Sequence, residues 1–282
     1  MTKTSVTIPS TRRLRSLPTL LLIALLACSL MACSRNEDAT RAPHAASEPS
    51  APKLETRSSV SPPPPTLDPA PEPTPAWGGL TVHESGVPLS QAQRAVLLLH
   101  GYGADADDLR QVAELLLDQE ETAIILPQAP VALAQGGFAW FQMTGAGFEE
   151  AIVQLRHLLT YFQELHPRLP YVLGGFSQGA ILSANLLSSA GPTLRAVLIF
   201  SGANIVPYPP PRALVPLPVF ISHGRDDRVL AFEQGKQLAH SFEHLNYDVT
   251  WAPFSGGHAI PREVLLSSKA FLGNVFGVKG TR

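Results

Sequence analysis

The chain has 282 residues, a formal net charge of −2 and only two cysteines, Cys28 and Cys33. A chain of this length can bury an adequate core without disulfides, and its charge lacks the basic footprint of a nucleic-acid-binding protein. Because both cysteines lie near the start, we expect no disulfide, no cysteine nucleophile and no cysteine metal site in the folded part.

Residues 1–32 are predicted to be an export signal. Four basic residues and no acidic residue precede an apolar stretch over 17–31, which is too short and interrupted for a membrane span. Removing the signal takes away these four positive charges, so the formal charge moves from −2 to −6.

The end of the apolar stretch, a small residue followed by Cys33, resembles the lipobox of bacterial lipoproteins. That resemblance implies a lipid on Cys33, export and attachment to a bacterial membrane. The outer membrane is favoured because Ser34 is not an acidic retention signal. A competing processing site at Cys28 would cut into the apolar run. The alternative is that both cysteines are only apolar residues of the signal segment and carry no lipid. The protein would then be secreted or periplasmic.

Residues 33–76 are predicted to be a disordered tether. They are rich in Pro, Ala, Ser, Thr and Glu, with four consecutive prolines at 62–65, and their apolar content is too low for a core. At about 3 Å per residue, an extended Pro-rich chain of this length would reach on the order of 130 Å. The folded domain is therefore predicted to span residues 77–282.

Within this domain, short apolar runs alternate with helical periodicity. The predicted elements, in chain order, are a strand at 95–99, a helix at 107–118, a strand at 123–126, a helix at 148–165, a strand at 171–176, a helix at 178–189, strands at 195–200 and 218–222, a helix at 232–245, a strand at 247–252 and a helix at 261–271. This alternation predicts an α/β fold with a mostly parallel sheet covered by helices on both faces. Ligands of such sheets bind at the carboxyl ends of the strands.

The strongest chemical signal is a Gly-x-Ser-x-Gly pentapeptide at 175–179, placed between a strand and a helix. This context is typical of a nucleophile elbow, which exposes the serine hydroxyl on a sharp turn. Ser177 then needs an imidazole to take its proton and a carboxylate to orient that imidazole. His258 is the candidate base, and Asp226 and Asp227 compete for the acid role.

Seven short motifs make the chain resemble the phospholipase/carboxylesterase family of α/β-hydrolases, which includes the acyl-protein thioesterases. They are 99–103 (LHGYG), 127–130 (PQAP), 140–141 (WF), 175–179 (GFSQG), 201–202 (SG), 223–227 (HGRDD) and 257–260 (GHAI), and the resemblance runs over about 94–275.

The family resemblance implies an α/β-hydrolase fold with a Ser177–His258–Asp227 triad and the acid at Asp227 rather than Asp226. The fold implies that the backbone N–H of Gln178 stabilises the oxyanion, and the family places the second donor on Tyr102. Side chains at these two positions are expected to matter less than the N–H groups. No cofactor or metal is implied, and His100 and His223 are expected to be structural.

An aromatic pair, Trp140 and Phe141, lies with Met143 in the glycine-rich connection at 136–147. Beside an active-site crevice such residues line an acyl pocket, although they could equally cover the core. The short segment at 131–139 leaves little material for a lid, so an open cleft for small or medium acyl groups is expected.

The leading interpretation is a serine esterase that hydrolyses carboxylic esters or thioesters through an acyl-enzyme. Lysophospholipase or acyl-protein thioesterase activity is the alternative within the same class. A remote alternative is a non-catalytic binding protein that has kept the fold. The remaining histidines, on polar helical faces or at element ends, are expected to be solvated: His83, His157, His166, His240 and His244.

Overall fold

A computed structural model describes residues 76–203, 205 and 211–277. The predicted export signal, Cys28, Cys33 and residues 33–75 of the predicted tether lie outside the described residues. The predictions made for them therefore remain predictions.

Among the described residues, seven strands form one sheet in the order β1-β3-β2-β6-β7-β8-β9, and a separate two-stranded sheet pairs β4 with β5. In the large sheet only β1 runs antiparallel to its neighbour. The strands are β1 Val82–Gly86, β2 Arg94–Leu99, β3 Thr122–Pro127, β4 Val131–Ala132, β5 Phe138–Ala139, β6 Tyr171–Phe176, β7 Leu194–Phe200, β8 Pro218–Gly224 and β9 Asp248–Phe254.

Five α-helices and three 3₁₀ turns connect these strands in the described part of the chain. The α-helices are α1 Arg110–Leu116, α2 Phe148–Leu165, α3 Gln178–Asn185, α4 Phe232–His244 and α5 Arg262–Phe276, and the 3₁₀ turns are Ala76–Gly79, Ala106–Leu109 and Leu187–Ser189. No helix among the described residues is both long and apolar enough to cross a membrane.

The helices cover both faces of the sheet because successive strand residues point to opposite sides. On β2, Leu97 and Leu99 pack into a core shared with α2, α3 and α4. Val96 and Leu98 pack into a second core shared with α1 and α5. This arrangement confirms the predicted α/β-hydrolase fold class.

The strand order reverses direction beside β2. After β2 the chain forms β3 on one side of β2, the side that leads to the edge strand β1. It then forms β6 on the other side of β2. In open α/β sheets such a reversal opens a crevice at the carboxyl ends of the two strands. The loop at 100–103 follows β2 and Ser177 follows β6, so both lie at this crevice.

The prediction matches the bounds of α2 and β6 and misses several short elements. The antiparallel edge strand β1 and the β4–β5 hairpin were not predicted. The predicted helix at 178–189 is α3 followed by a 3₁₀ turn, and the helix at 107–118 is a 3₁₀ turn followed by α1. Because β1 mixes polar and half-buried residues, its sequence carries no apolar run.

Candidate active site

The backbone at Ser177 has the strained geometry of a nucleophile elbow. Ser177 lies between β6 and α3 with φ 54° and ψ −115°, a region that non-glycine residues seldom occupy. Its N–H donates to the Phe200 carbonyl at 3.0 Å, and its carbonyl accepts from the Ile181 N–H at 3.1 Å. These bonds from the neighbouring strand and the following helix hold the turn in place.

Two glycines allow β6, α3 and β2 to meet at this turn. A Cβ on Gly179 would lie 1.9 Å from the Leu99 carbonyl oxygen, and a Cβ on Gly175 would lie 2.5 Å from the Gly179 carbonyl carbon. Both separations are far below any van der Waals contact. The glycines of the pentapeptide are thus required by close backbone packing around Ser177.

The structure brings Asp227, and not Asp226, to His258. The His258 Nδ1 lies 2.6 Å from Asp227 Oδ2, a short bond of the kind made by charge-assisted pairs. The other carboxylate oxygen, Oδ1, accepts from the backbone N–H groups of Val229 and Leu230 at 2.8 and 2.9 Å. Asp226 is exposed, and its backbone N–H donates to the Gly256 carbonyl.

His258 packs against the elbow through Phe176, whose ring centroid is 4.7 Å from that of the imidazole. Its Nε2 is buried and has no hydrogen-bond partner among the described residues. Nε2 and the Ser177 hydroxyl are thus not hydrogen bonded to each other. Such bonds are often long in the absence of substrate and tighten in the Michaelis complex.

His223, for which the family resemblance implies a structural role, is fully buried beside the Asp227 carboxylate. Its Nε2–H donates to the Leu230 carbonyl at 2.8 Å and lies 3.3 Å from Asp227 Oδ2. The imidazole therefore braces the loop that carries Asp227.

The loop after β2 lies directly beside the nucleophile. A Cβ on Gly101 would be 3.4 Å from the Ser177 Cβ, and Gly103, at φ 81°, donates its N–H to the Phe138 carbonyl of β5 at 2.8 Å. Tyr102 lies between these glycines, partly exposed. The backbone of the predicted oxyanion loop thus runs along the edge of the crevice.

His100 holds this loop from inside the protein. Its Nδ1 donates to the Gly101 carbonyl at 2.8 Å, and its Nε2 accepts from the Ala129 N–H at 3.1 Å. Desolvation by burial lowers the pKa of His100, an effect partly opposed by the bond to Gly101. Both the partners and the pKa favour the neutral imidazole.

Trp140 and Phe141, the residues expected to line an acyl pocket, are both buried. Trp140 is 1% exposed and Phe141 7%, and both belong to the core shared with α2. The Trp140 indole N–H donates to the His100 carbonyl at 2.9 Å. Trp140 is therefore a support beneath the loop after β2. Met143, at 51% exposed, is open to solvent.

The Gln178 side chain has a structural role that the sequence does not predict. It is 5% exposed. Its Oε1 accepts from the backbone N–H of Trp140 at 3.1 Å, and its Nε2 donates to the backbone carbonyl of Phe141 at 2.8 Å. This two-point bond joins the elbow to the 140–141 segment. No local sequence pattern signals it, because the partners lie 37 and 38 positions away in the chain.

No group of three or more His, Cys, Asp or Glu side chains among the described residues is arranged to hold a metal ion. The polar groups at the carboxyl edge are a hydroxyl, imidazoles, one buried carboxylate and backbone amides. These are the groups that acyl transfer by nucleophilic catalysis requires.

Known proteins resemble the chain over this same region. The model of the family described as Phospholipase/Carboxylesterase matches residues 86–275. Acyl-protein thioesterase 1 of Debaryomyces hansenii is 24% identical over 213 residues, 65% of this chain and 92% of the relative. The protein of the same name from Gibberella zeae is 28% identical over 215 residues, 65% of this chain and 91% of the relative.

Solved structures show the same architecture. The crystal structure of esterase PE8 is 26% identical with a TM-score of 0.59, covering 70% of this chain and 99% of that one. The carboxylesterase of Bacillus cereus, 24% identical with a TM-score of 0.57 over 70% of this chain and 95% of that one, has the same fold. Since the family model spans well over half of its residues, the chain belongs to the phospholipase/carboxylesterase family of α/β-hydrolases and is a serine hydrolase of carboxylic esters.

Proposed function

We propose that Ser177, His258 and Asp227 are the catalytic triad of this esterase. The observation that carries the proposal is the 2.6 Å bond between Asp227 and His258 at the sheet edge where Ser177 occupies a strained elbow. In the reaction, the Ser177 hydroxyl attacks the acyl carbonyl and passes its proton to His258 Nε2. Asp227 holds Nδ1–H and stabilises the imidazolium that forms.

The proposed oxyanion donors are the backbone N–H groups of Tyr102, in the loop after β2, and of Gln178, the residue after the nucleophile. The tetrahedral intermediate collapses to an acyl-enzyme when His258 returns its proton to the leaving alcohol. Water, deprotonated by His258, then attacks the acyl carbonyl and releases the acid with Ser177 regenerated. These steps use only groups of the chain and water.

The proposed substrates are esters of short to medium acyl groups. The connection between β4 and β5 is short, so this segment leaves little chain for a lid, and Tyr102 in the loop after β2 is exposed. Thioesters are the second candidate class, favoured because two relatives carry the name acyl-protein thioesterase 1. Lysophospholipids are a related candidate that a membrane-attached protein would meet.

The test is a comparison of the wild type with Ser177→Ala on p-nitrophenyl esters of two to twelve carbons and on acyl thioesters. We expect a loss of several orders of magnitude in kcat/KM, since triad members act as a unit. A fluorophosphonate should label the wild type and the Ser267→Ala control, but not Ser177→Ala. Labelling that survives in Ser177→Ala would refute the assignment, and a wild type without any hydrolysis would favour a binding protein.

We further propose that the chain is exported and attached to a bacterial membrane by a lipid on Cys33. The support is the apolar stretch that ends in Ala32 and Cys33, followed by a Pro-rich segment with too little apolar content to fold. The expected result is membrane partitioning and lipid incorporation that Cys33→Ser abolishes and Cys28→Ser preserves. The reverse pattern would move processing to Cys28, and soluble wild-type protein would contradict the anchor.

A further inference from the structure

Two histidines on the last turns of α4 bring their imidazole nitrogens together. His240 and His244 are four residues apart, a spacing that places both side chains on one face of a helix. Their Nε2 atoms lie 2.9 Å apart, and both residues are exposed. The sequence predicts a solvated histidine at each position, and the helix α4 brings the two rings together.

The two rings meet at an angle rather than end to end. The ring centroids are 4.2 Å apart with the planes at 70°. A linear N–H···N bond at this nitrogen distance would put the centroids about 5 Å apart. The two rings therefore do not lie end to end along the line that joins the nitrogens.

We propose that His240 and His244 form a surface binding site for a divalent transition-metal ion, with a preference for Cu²⁺ and Ni²⁺. Two nitrogens at about 2.0–2.1 Å from one ion, at a right angle, are about 2.9 Å apart. That is the separation observed between the two Nε2 atoms. Cis positions at a right angle are those of square-planar and octahedral centres, which Cu²⁺ and Ni²⁺ adopt.

The helix holds both ligands in place before the ion arrives. Leu238 and Phe242, on the opposite side of the same turns, are fully buried. Glu243 Oε2 lies 3.6 Å from His240 Nδ1, so a carboxylate stands beside the ring on the side away from Nε2. Because the core anchors α4, little backbone ordering opposes binding.

The surrounding charges are compatible with a bound cation. His244 ends α4, and the carbonyl end of a helix favours positive charge. Lys236, one turn before His240, pairs with Glu233 at 3.6 Å. Arg212 donates to the His244 carbonyl at 3.3 Å and is the cation that opposes binding at this end.

An open cleft beside the pair leaves room for the remaining ligands. It has a volume of about 400 Å³ and is lined by His240 and Glu243 together with Trp251 of the edge strand β9. Water can fill the other coordination positions from this side. The proposed site lies near the end of α4 that leads into β9, whereas the start of α4 follows the Asp227 loop. Metal binding is accordingly expected to be independent of ester hydrolysis.

The test is titration of Cu²⁺ and Ni²⁺ into the full chain without a histidine tag, followed by calorimetry. The wild type should bind one equivalent that both His240→Gln and His244→Gln weaken by at least about 10-fold, because the second imidazole acts at high effective concentration. His157→Gln is the matched control, since this exposed helical histidine has Val153 and Tyr161 at the ±4 positions. It should bind as tightly as the wild type.

Cu²⁺ electron paramagnetic resonance provides the second readout, with two coordinated nitrogens expected in the wild type and one in each single variant. Circular dichroism checks that the variants fold, and Ser177→Ala should bind the metal normally. Wild-type affinity in both single variants, an equal loss in His157→Gln, or no two-nitrogen signal would overturn the proposal.

Discussion

Two adjacent aspartates, Asp226 and Asp227, differ in whether their position in the loop brings the carboxylate to His258. Asp226 and Asp227 have the same side chain, and the pentapeptide and chain order alone do not separate them. In the structure only Asp227 faces inward, where both carboxylate oxygens have partners. Asp226 points outward and is exposed.

Asp227→Asn is expected to lower kcat/KM by roughly 10³- to 10⁴-fold, because an amide cannot orient and stabilise the His258 imidazolium as a carboxylate does. Asp226→Asn should stay within a few-fold of the wild type. The measurement is steady-state hydrolysis of a short p-nitrophenyl ester. A greater loss at Asp226 would show that the loop has a different register in the active enzyme.

The Gln178 side chain is a second residue whose role depends on contacts distant in the chain. Gln178→Met keeps the size of the side chain. It removes the side-chain partner of the backbone N–H of Trp140 and of the backbone carbonyl of Phe141. An unsatisfied buried group costs about 1–3 kcal/mol, so we expect a lower free energy of unfolding and a lower kcat. Denaturant titration and ester kinetics measure the two effects.

The control for this substitution is Gln111→Met at an exposed position of α1. It should change neither quantity appreciably. If Gln178→Met were as stable and active as the control, the bonds to residues 140 and 141 would have no energetic importance.

At the scale of elements, the site depends on how closely α3 approaches β2. The contact of Gly179 with Leu99 leaves no room for any side chain. In an ordinary helix, exchange of glycine for alanine stabilises by up to about 1 kcal/mol. Here the same exchange must push the helix away from the sheet, and the Ser177 elbow moves with it.

Gly179→Ala is therefore expected to destabilise the protein by several kcal/mol or to abolish folding, since the added Cβ would overlap backbone at 1.9 Å. Gly277→Ala is the contrast. Gly277 caps α5 at φ 67° with nothing within 4 Å of the added Cβ, so only about 1–2 kcal/mol of backbone strain is expected. Thermal unfolding distinguishes the two, and equal shifts would refute the packing argument.

At the scale of the whole molecule, the first described residues belong to the folded unit. The Trp77 ring packs edge-on against Tyr161 of α2, with centroids 5.4 Å apart. A Cβ on Gly78 would lie 2.6 Å from the Gln154 carbonyl oxygen of the same helix. The 3₁₀ turn that carries Trp77 and Gly78 is therefore packed on the domain.

A chain that starts at residue 76 is expected to be soluble and to keep the specific activity of the full chain on small esters. The physical reason is that the tether at 33–75 supplies neither apolar content for the core nor a group for the chemistry. A chain that starts at residue 82 should unfold at a lower temperature, because it lacks the Trp77 contact with α2. Loss of activity in the chain that starts at residue 76 would contradict the predicted domain boundary.

The elements that were predicted well are those whose patterns are local. The helical periodicity of α2 and the apolar run of β6 are written in consecutive residues, so their bounds follow directly from the sequence. The strand β1 and the β4–β5 hairpin are short and only partly buried, and they exist because β3 and the loop after β2 provide partners. Patterns of consecutive residues do not contain that information.

By itself, the sequence determined the α/β class, the elbow at Ser177 and the order of the candidate serine, acid and base. These depend on periodicity, on glycine spacing and on residue types that the chemistry requires. The tertiary structure alone decided that Trp140 is a buried support and that the Gln178 side chain joins two segments. The physical reason is that burial and hydrogen-bond partners are set by which distant residues the sheet order and helix packing bring into contact.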